Sequence, residues 1–458
     1  MSDSTRQSTG QVPATVAAER AVDNLRSLVR IPTVSHPDEQ QTRWEHFDHY
    51  IAELSRLYPA LHAALQLERV ARYSLLYRWP GREGGAPSVL MAHYDVVPAE
   101  DDGWQHPPFS ASVVGEGEDQ VVWGRGTLDD KGSMVAILEA VETLVTEGFT
   151  PQHDVYLSFG HNEETAGDGA RAIVSLLAER EIAPRLVLDE GGAVVQGIFP
   201  GVDDPIAVIG VAEKGIMTLT MTVDQQGGHA STPPRLTATT RLARAIVRLS
   251  RKPFPSRFSD VNLEMIRTIG ARARQPLRFA FTRLALTKPL LLWLFTRLGD
   301  ETSAIVRTTQ AVTRLSGSLA SNALAERAVA EVNIRVAVGS SVADTVGHVR
   351  RAVRDPGVQL DVVQPSEPSP VSPTTGWAWE LLRDTVLASY PGTIVTPYVM
   401  LGASDSRHYC EISEHVYRFS PFEMSDEERG TLHAVNERIR VATFLRGVGF
   451  FNRLLRSL

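Results

Sequence analysis

From residue 74 to residue 192 the sequence alternates between two kinds of apolar run, and no other feature constrains the fold as strongly. "SLLYRWPG" and "SVLMAHYDVVP" read as strands, "VAILEAVETLVTEG" as a helix closed by Gly148, "DVYLSFG" as a strand, "ARAIVSLLAERE" as a helix and "RLVLDEGG" as a strand. Strand and helix in turn predict an α/β fold, a mainly parallel sheet flanked by helices. In such sheets the carboxyl ends of the strands form the ligand crevice. The 458 residues leave room for two or three domains.

The pattern changes near residue 212. "GIMTLTMTV" alternates like a half-buried strand, "TTRLARAIVRLS" reads as a helix, "ERAVAEVNIRVAVG" as a strand and "SVADTVGHVRRAV" as a helix. This predicts an inserted α+β lid or dimerisation domain over 212–364, between two parts of a catalytic domain, 1–211 and 365–458. "QPSEPSPVSPTTG", rich in Pro and Ser, reads as a connector. Helices are expected in "AWELLRDTVLASY", in "RVATFLRGVGFFNRLLRSL" and, near the start, in "AAERAVDNLRSLVRIPTVS", where Val22, Leu25, Leu28 and Val29 share a face and Pro32 ends the run.

Composition narrows the function classes. A net charge of −8 argues against general nucleic-acid binding. The lone cysteine, Cys410, excludes an internal disulfide and fits a reducing compartment, so a cytoplasmic location is expected. The polar first twenty residues read as a disordered leader, not a secretory signal. The most apolar stretch, "PLRFAFTRLALTKPLLLWLFTRL", is broken by Arg278, Arg283, Lys288 and Pro289. It never offers the ~20 clean apolar residues that a membrane span needs. A buried or interface helix pair is the favoured reading of 277–298, and a groove for a greasy substrate the other.

Acid and imidazole groups follow the apolar runs. His93 and Asp95 follow "SVLMA", Asp129 and Asp130 sit in "WGRGTLDDKG", Glu163 and Glu164 follow "VYLSFG", Asp189 and Glu190 follow "RLVL", and His433 stands in "TLHAVNER". So many carboxylates in one crevice would repel and raise one another's pKa values. Divalent cations remove that conflict. Imidazole and carboxylate donors without thiolate suit zinc, with manganese or cobalt as replacements. Two histidines and several carboxylates could hold a metal pair that shares a bridging carboxylate. A neighbouring carboxylate free of the metals could then act as general base.

"HYDVVP", "WGRGTLDDKG", "GHNEETAG", "LDEGG", "GGHASTPP" and "GASDSRHY", in that order, resemble the cocatalytic-zinc metallopeptidase and aminoacylase family. That family includes acetylornithine deacetylase, succinyl-diaminopimelate desuccinylase and carboxypeptidase G. "GRGTLDDKG", "LDEGG" and "RTTQAVTRLSG" are most similar to the carboxypeptidase S and N-fatty-acyl-amino-acid hydrolase subgroup. The resemblance implies two zinc ions, one held by His93 and Asp189 and the other by Glu164 and His433, bridged by Asp129 across a cis Asp129–Asp130 peptide. It implies Asp95 behind the His93 imidazole, Glu163 as the general base, and His229 reaching the partner subunit's site in a homodimer built on the inserted domain. It also implies substrate contacts from Asn322, Arg335, Gly402, Ser404 and Arg407. Asn162, Ser404 and Ala325 depart from the residues usual in relatives; these departures bear on pocket shape and remove no implied ligand.

The activity so implied is metal-dependent hydrolysis of an amide next to a free carboxylate, in a peptide or an N-acyl amino acid. The alternative is a non-catalytic metal-binding scaffold of the same fold. Such a scaffold is expected to have lost the base or a ligand, and this chain retains both.

Overall fold

The computed structural model describes residues 14–197 and 199–458. The leader ahead of residue 14 lies outside the described residues. Among the described residues ten strands form one large sheet. At its centre Ser88–His93 runs parallel to both Val155–Gly160 and Leu186–Asp189, and Val416–Arg418 runs parallel to Leu186–Asp189. Ile394–Met400 pairs in parallel with Ile206–Glu213. An antiparallel pair, Gln66–Val70 and Ser74–Trp79, closes one edge.

The central strands are buried throughout. Side chains alternate across a strand, so each strand feeds two cores. Leu90, Leu157 and Leu188 join one core, with the helices Lys131–Thr146 and Val441–Arg456 packed on it. Val89, Met91, Tyr156 and Val187 join the other, against the helix Gly169–Glu179. Burial on both faces is why these strands read as continuous apolar runs.

A second sheet of four antiparallel strands is separate from the first, in the order Thr309–Ser316, Arg327–Val336, Gly215–Asp224, Gln359–Ser366. Met217, Leu219 and Met221 face the helices Ala238–Ser250 and Val342–Val353, together with Ala330, Val332 and Ile334. The opposite face carries polar residues such as Thr218 and Asn333, which are half-exposed. This face gives the alternation that the sequence displays.

The stretch 212–364 does not pack as one unit. The helix Asp260–Gly270 returns to the large sheet, where Val261, Met265 and Ile269 bury one face against the Ile394–Met400 region. Its i, i+4, i+8 spacing fixes which face is apolar, but not which sheet that face covers. The following helices, Leu277–Thr282 and Leu284–Phe295, build a small core of their own with Phe258, Leu263 and Ile266.

Candidate metal centre

His93 is the last residue of its strand, and its Nε2 lies 2.9 Å from Asp129 Oδ1. His433 Nε2 lies 3.0 Å from the other oxygen, Asp129 Oδ2, and 3.1 Å from Glu164 Oε2. Asp129 therefore offers one oxygen to each histidine. The Asp129–Asp130 peptide is cis. Gly126, at φ 89°, turns the loop that delivers Asp129; a Cβ there would meet Val96 at 2.8 Å. His433 itself has φ 56°, a left-handed conformation costing roughly 1–3 kcal/mol that the surrounding loop must hold.

Asp95 stands behind both halves. One of its oxygens lies 3.3 Å from His93 Nδ1 and accepts the Glu163 N–H at 3.1 Å. The other accepts the Glu164 N–H at 3.2 Å and the Ser35 hydroxyl at 2.6 Å. Asp95 thus orients the imidazole through its own carbonyl, 3.0 Å from His93 Nδ1, with the carboxylate beside it, and that carboxylate fixes the start of the loop where the two glutamates sit.

Asp189 is not in the cluster. Its Oδ2 accepts the Ser406 N–H at 2.9 Å. The next residue, Glu190, reaches His93 Nε2 at 3.4 Å. Successive residues leaving a strand point to opposite sides, and the expected ligand and its neighbour have exchanged places. His93, Asp130 and Glu190 form one group whose oxygen and nitrogen atoms could hold an ion; His93, Asp129 and Glu164 form another.

The electrostatics fit such an occupant. Burial, then the charge of Asp129, pushes Glu190 up to about 8. Burial followed by neighbouring carboxylates raises Asp130 and Glu163 as well. Burial alone would lower His93, but Glu190, Asp129 and Asp95 around it drive it well above the ordinary imidazole value. Hydrogen bonds to Asp129 and Glu164 lift His433 to about 10. Glu164 Oε1 and Asp130 Oδ1 are buried with no hydrogen-bond partner. Crowded carboxylates with orphaned oxygens and two imidazoles are a donor set that divalent cations satisfy.

The cluster opens into a cleft of about 370 Å³. Asp129, Glu163, Glu190 and His433 line it, together with the apolar side chains of Leu128, Met400, Met424 and Leu432. Gly402 lines it too. Ser404 is buried, its N–H held by Glu213 at 2.9 Å, and its hydroxyl meets Ser406. Arg335 is half-buried, with Nε 3.3 Å from Asn333 Oδ1. Burial, then the charge of Arg407, lowers the Arg335 guanidinium, while Glu163 and Glu213 oppose that shift. Neither Arg335 nor Arg407 lines the cleft, although Arg335 feels the charge of Glu163.

His229 and Asn322 sit elsewhere, both exposed: His229 lies in a two-stranded antiparallel ribbon of Gly228–His229 with Ala323–Leu324, and Asn322 immediately precedes the second strand. The Ala230 N–H donates to the Asn322 carbonyl at 3.0 Å, so the two residues belong to one unit. The hydrogen bonds of the His229 ring are local, to Ser231.

Glu437 is a site residue that the sequence reading does not single out. Fully buried, it accepts N–H bonds from Gly126 at 3.0 Å, Leu128 at 2.9 Å and Asp129 at 3.3 Å, and it pairs with Arg125 at 2.5 Å.

Residues 89–457 match the peptidase family M20/M25/M40. The chain belongs to this family. Among curated proteins, this M20-family chain is 35% identical over 426 residues to the probable carboxypeptidase S-like 2 of Dictyostelium discoideum, covering 90% of this chain and 81% of that one. It is 34% identical over 463 residues to the human N-fatty-acyl-amino acid synthase/hydrolase PM20D1, covering 98% and 91%. Among solved structures it resembles an M20 family metallo-carboxypeptidase from Sulfolobus solfataricus, with a TM-score of 0.69, 15% identity and coverage of 95% and 98%. It also resembles human carnosine dipeptidase 1, with a TM-score of 0.65, 14% identity and coverage of 97% and 96%. The M20 chain is accordingly a metallopeptidase or amidohydrolase.

Proposed function

We propose that the protein hydrolyses an amide bond next to a free carboxylate, in a peptide C-terminus or an N-acyl amino acid, with two zinc ions and Glu163 as general base. One observation carries this reading: Asp129 gives an oxygen to His93 and the other to His433, while Glu163 lines the same cleft. His93 and Glu190 would hold one ion, His433 and Glu164 the other, and Asp129 both; Glu190 takes the place first expected for Asp189. Two ions held there would polarise the scissile carbonyl and acidify the attacking water.

Glu163 takes the water's proton and returns it to the leaving nitrogen. A fixed carboxylate lining the cleft suits a group that must both accept and donate the proton. Arg335 and Arg407 supply positive charge for the substrate carboxylate, and the planar fork of Arg335 suits bidentate contact. The apolar lining residues Leu128, Met400, Met424 and Leu432 suit a hydrophobic side chain or acyl group. Their exposure supports a role for His229 and Asn322 at the partner subunit's site in a homodimer. Names of similar proteins support both substrate classes, carboxypeptidase S and N-fatty-acyl-amino acid hydrolase.

The test is a rate panel of dipeptides beside N-acyl amino acids of rising chain length, before and after chelation and after zinc is restored. Turnover that survives complete metal removal sinks the reading. Turnover restored by zinc excludes a non-catalytic scaffold.

A further inference from the structure

Between Glu264 and Asp300 the sequence holds seven Lys or Arg and no Asp or Glu, in a chain whose net charge is −8. The helix Leu284–Phe295 lies within this stretch. Leu284, Leu291 and Phe295 turn inward and are buried in the small core around Phe258 and Ile266. On the opposite face Leu286, Leu290 and Trp293 follow one another at i, i+4 and i+7, exposed by 76%, 58% and 49%. A helix apolar on both faces is ordinarily covered on both; here one side is open.

Arginines bracket the open stripe. Arg283 precedes the helix and Arg297 follows it, both exposed, at opposite ends of roughly 21 Å of helix. The Arg297 guanidinium lies 4.7 Å from the centre of the Trp293 ring. Phe279, 54% exposed, extends the apolar surface onto the preceding helix, beside Arg278.

We propose that this face docks, lying in plane, on an anionic lipid bilayer. Leu286, Leu290 and Trp293 enter the acyl boundary, and Arg283 and Arg297 meet the negative headgroups, the arrangement of an interfacial helix. Among the described residues no helix is long and apolar enough to cross a membrane, so the contact is superficial. The charge argues for lipid over other occupants. A second copy related by two-fold symmetry would set this cationic rim against itself, and a nucleic acid would leave the three apolar side chains in water. The docked segment is also tied to the metal cluster: Glu301, just beyond it, accepts both Arg429 guanidinium hydrogen bonds, four residues before His433.

The test uses the full chain with vesicles of phosphatidylcholine plus phosphatidylserine, and with vesicles of phosphatidylcholine alone. Co-sedimentation is expected with the mixed vesicles and at least tenfold less with the neutral ones. The double variant Arg283→Gln/Arg297→Gln is expected to lose roughly 25-fold in vesicle affinity, about fivefold per cation. Leu286→Ser/Leu290→Ser should lose binding while retaining wild-type hydrolysis of a short soluble substrate. Should that variant fold poorly, Trp293→Phe gives a second readout: the lipid-induced blue shift of tryptophan emission is expected to shrink in it. Absent sedimentation, equal binding to both vesicle types, a blue shift unchanged in Trp293→Phe, or a solution dimer that Leu286→Ser/Leu290→Ser dissolves would each overturn the proposal.

Discussion

Glu437 holds the backbone of Asp129: its carboxylate accepts the Asp129 N–H at 3.3 Å, and those of Leu128 and Gly126 from the same loop. The residue that separates the two histidines is thus positioned by a carboxylate four residues beyond His433. Glu437→Gln keeps the shape but removes the charge opposite Arg125. The expected result is a loss of roughly 10–100-fold in metal affinity with the fold retained, read by competition against a chromophoric chelator. Glu437→Ala strands the loop N–H groups and a buried guanidinium, at a cost of roughly 3–5 kcal/mol. It should yield little folded protein. Unchanged metal affinity in Glu437→Gln would show that the loop holds itself.

Glu163 and His433 separate chemistry from metal binding. Glu163→Gln is expected to retain both ions by elemental analysis and to lose roughly 10²–10⁴-fold in kcat. His433→Ala is expected to lose an ion, because the His433 imidazole lies against both Asp129 Oδ2 and Glu164 Oε2. Full turnover in the first variant, or full metal content in the second, refutes the corresponding role.

The sheet is readable because its strands are buried on both faces and their apolar runs end abruptly, at His93 after Ala92 and at Gly160 after Phe159. The grouping of His93, Asp129, Glu164 and His433 rests instead on the motifs that resemble the family, because His433 follows no apolar run and punctuation marks only His93 and the Glu163–Glu164 pair. Other features left no such mark. Asp189 and Glu190 are adjacent carboxylates at a strand end, and only the phase of the last peptide decides which faces the cleft. The helix Asp260–Gly270 shows its apolar face but not its destination. Glu437 binds backbone N–H groups, one of them 311 positions away, and backbone partners leave no trace in residue identity.

The exchange of Asp189 and Glu190 can be tested directly. Glu190 lies 3.4 Å from His93, whereas Asp189 accepts the Ser406 N–H and so anchors the loop next to Ser404. Glu190→Gln is expected to lower bound metal from two ions toward one. Asp189→Asn keeps an acceptor for Ser406 and is expected to retain both ions. Mass spectrometry under native conditions reads the stoichiometry. The reverse outcome would return the ligand role to Asp189.

Lys214 supplies a pH test outside the metal cluster. It is buried where the large sheet hands over to the small one, and its Nζ donates to the Arg307 carbonyl at 2.7 Å. Burial, then the charge of Arg335, pushes its pKa down from 10.5 to about 8. Below about 8 the amine is charged in both folded and unfolded chains, and the folded state bears the cost of burying it. Between about 8 and 10.5 the folded amine has lost its proton while the unfolded one keeps it. The unfolded state then binds more protons, so stability rises with pH across that window. The rise attributable to Lys214 is at most about 3 kcal/mol. Tyrosines and other lysines also titrate there, so the measured quantity is the difference between the wild type and Lys214→Met. Urea unfolding should show that difference shifting in favour of the wild type between pH 7.5 and 10, by roughly 1–3 kcal/mol. A difference that stays flat over this range would mean that Lys214 keeps its proton in the fold, with the Arg307 carbonyl enough to hold the charge.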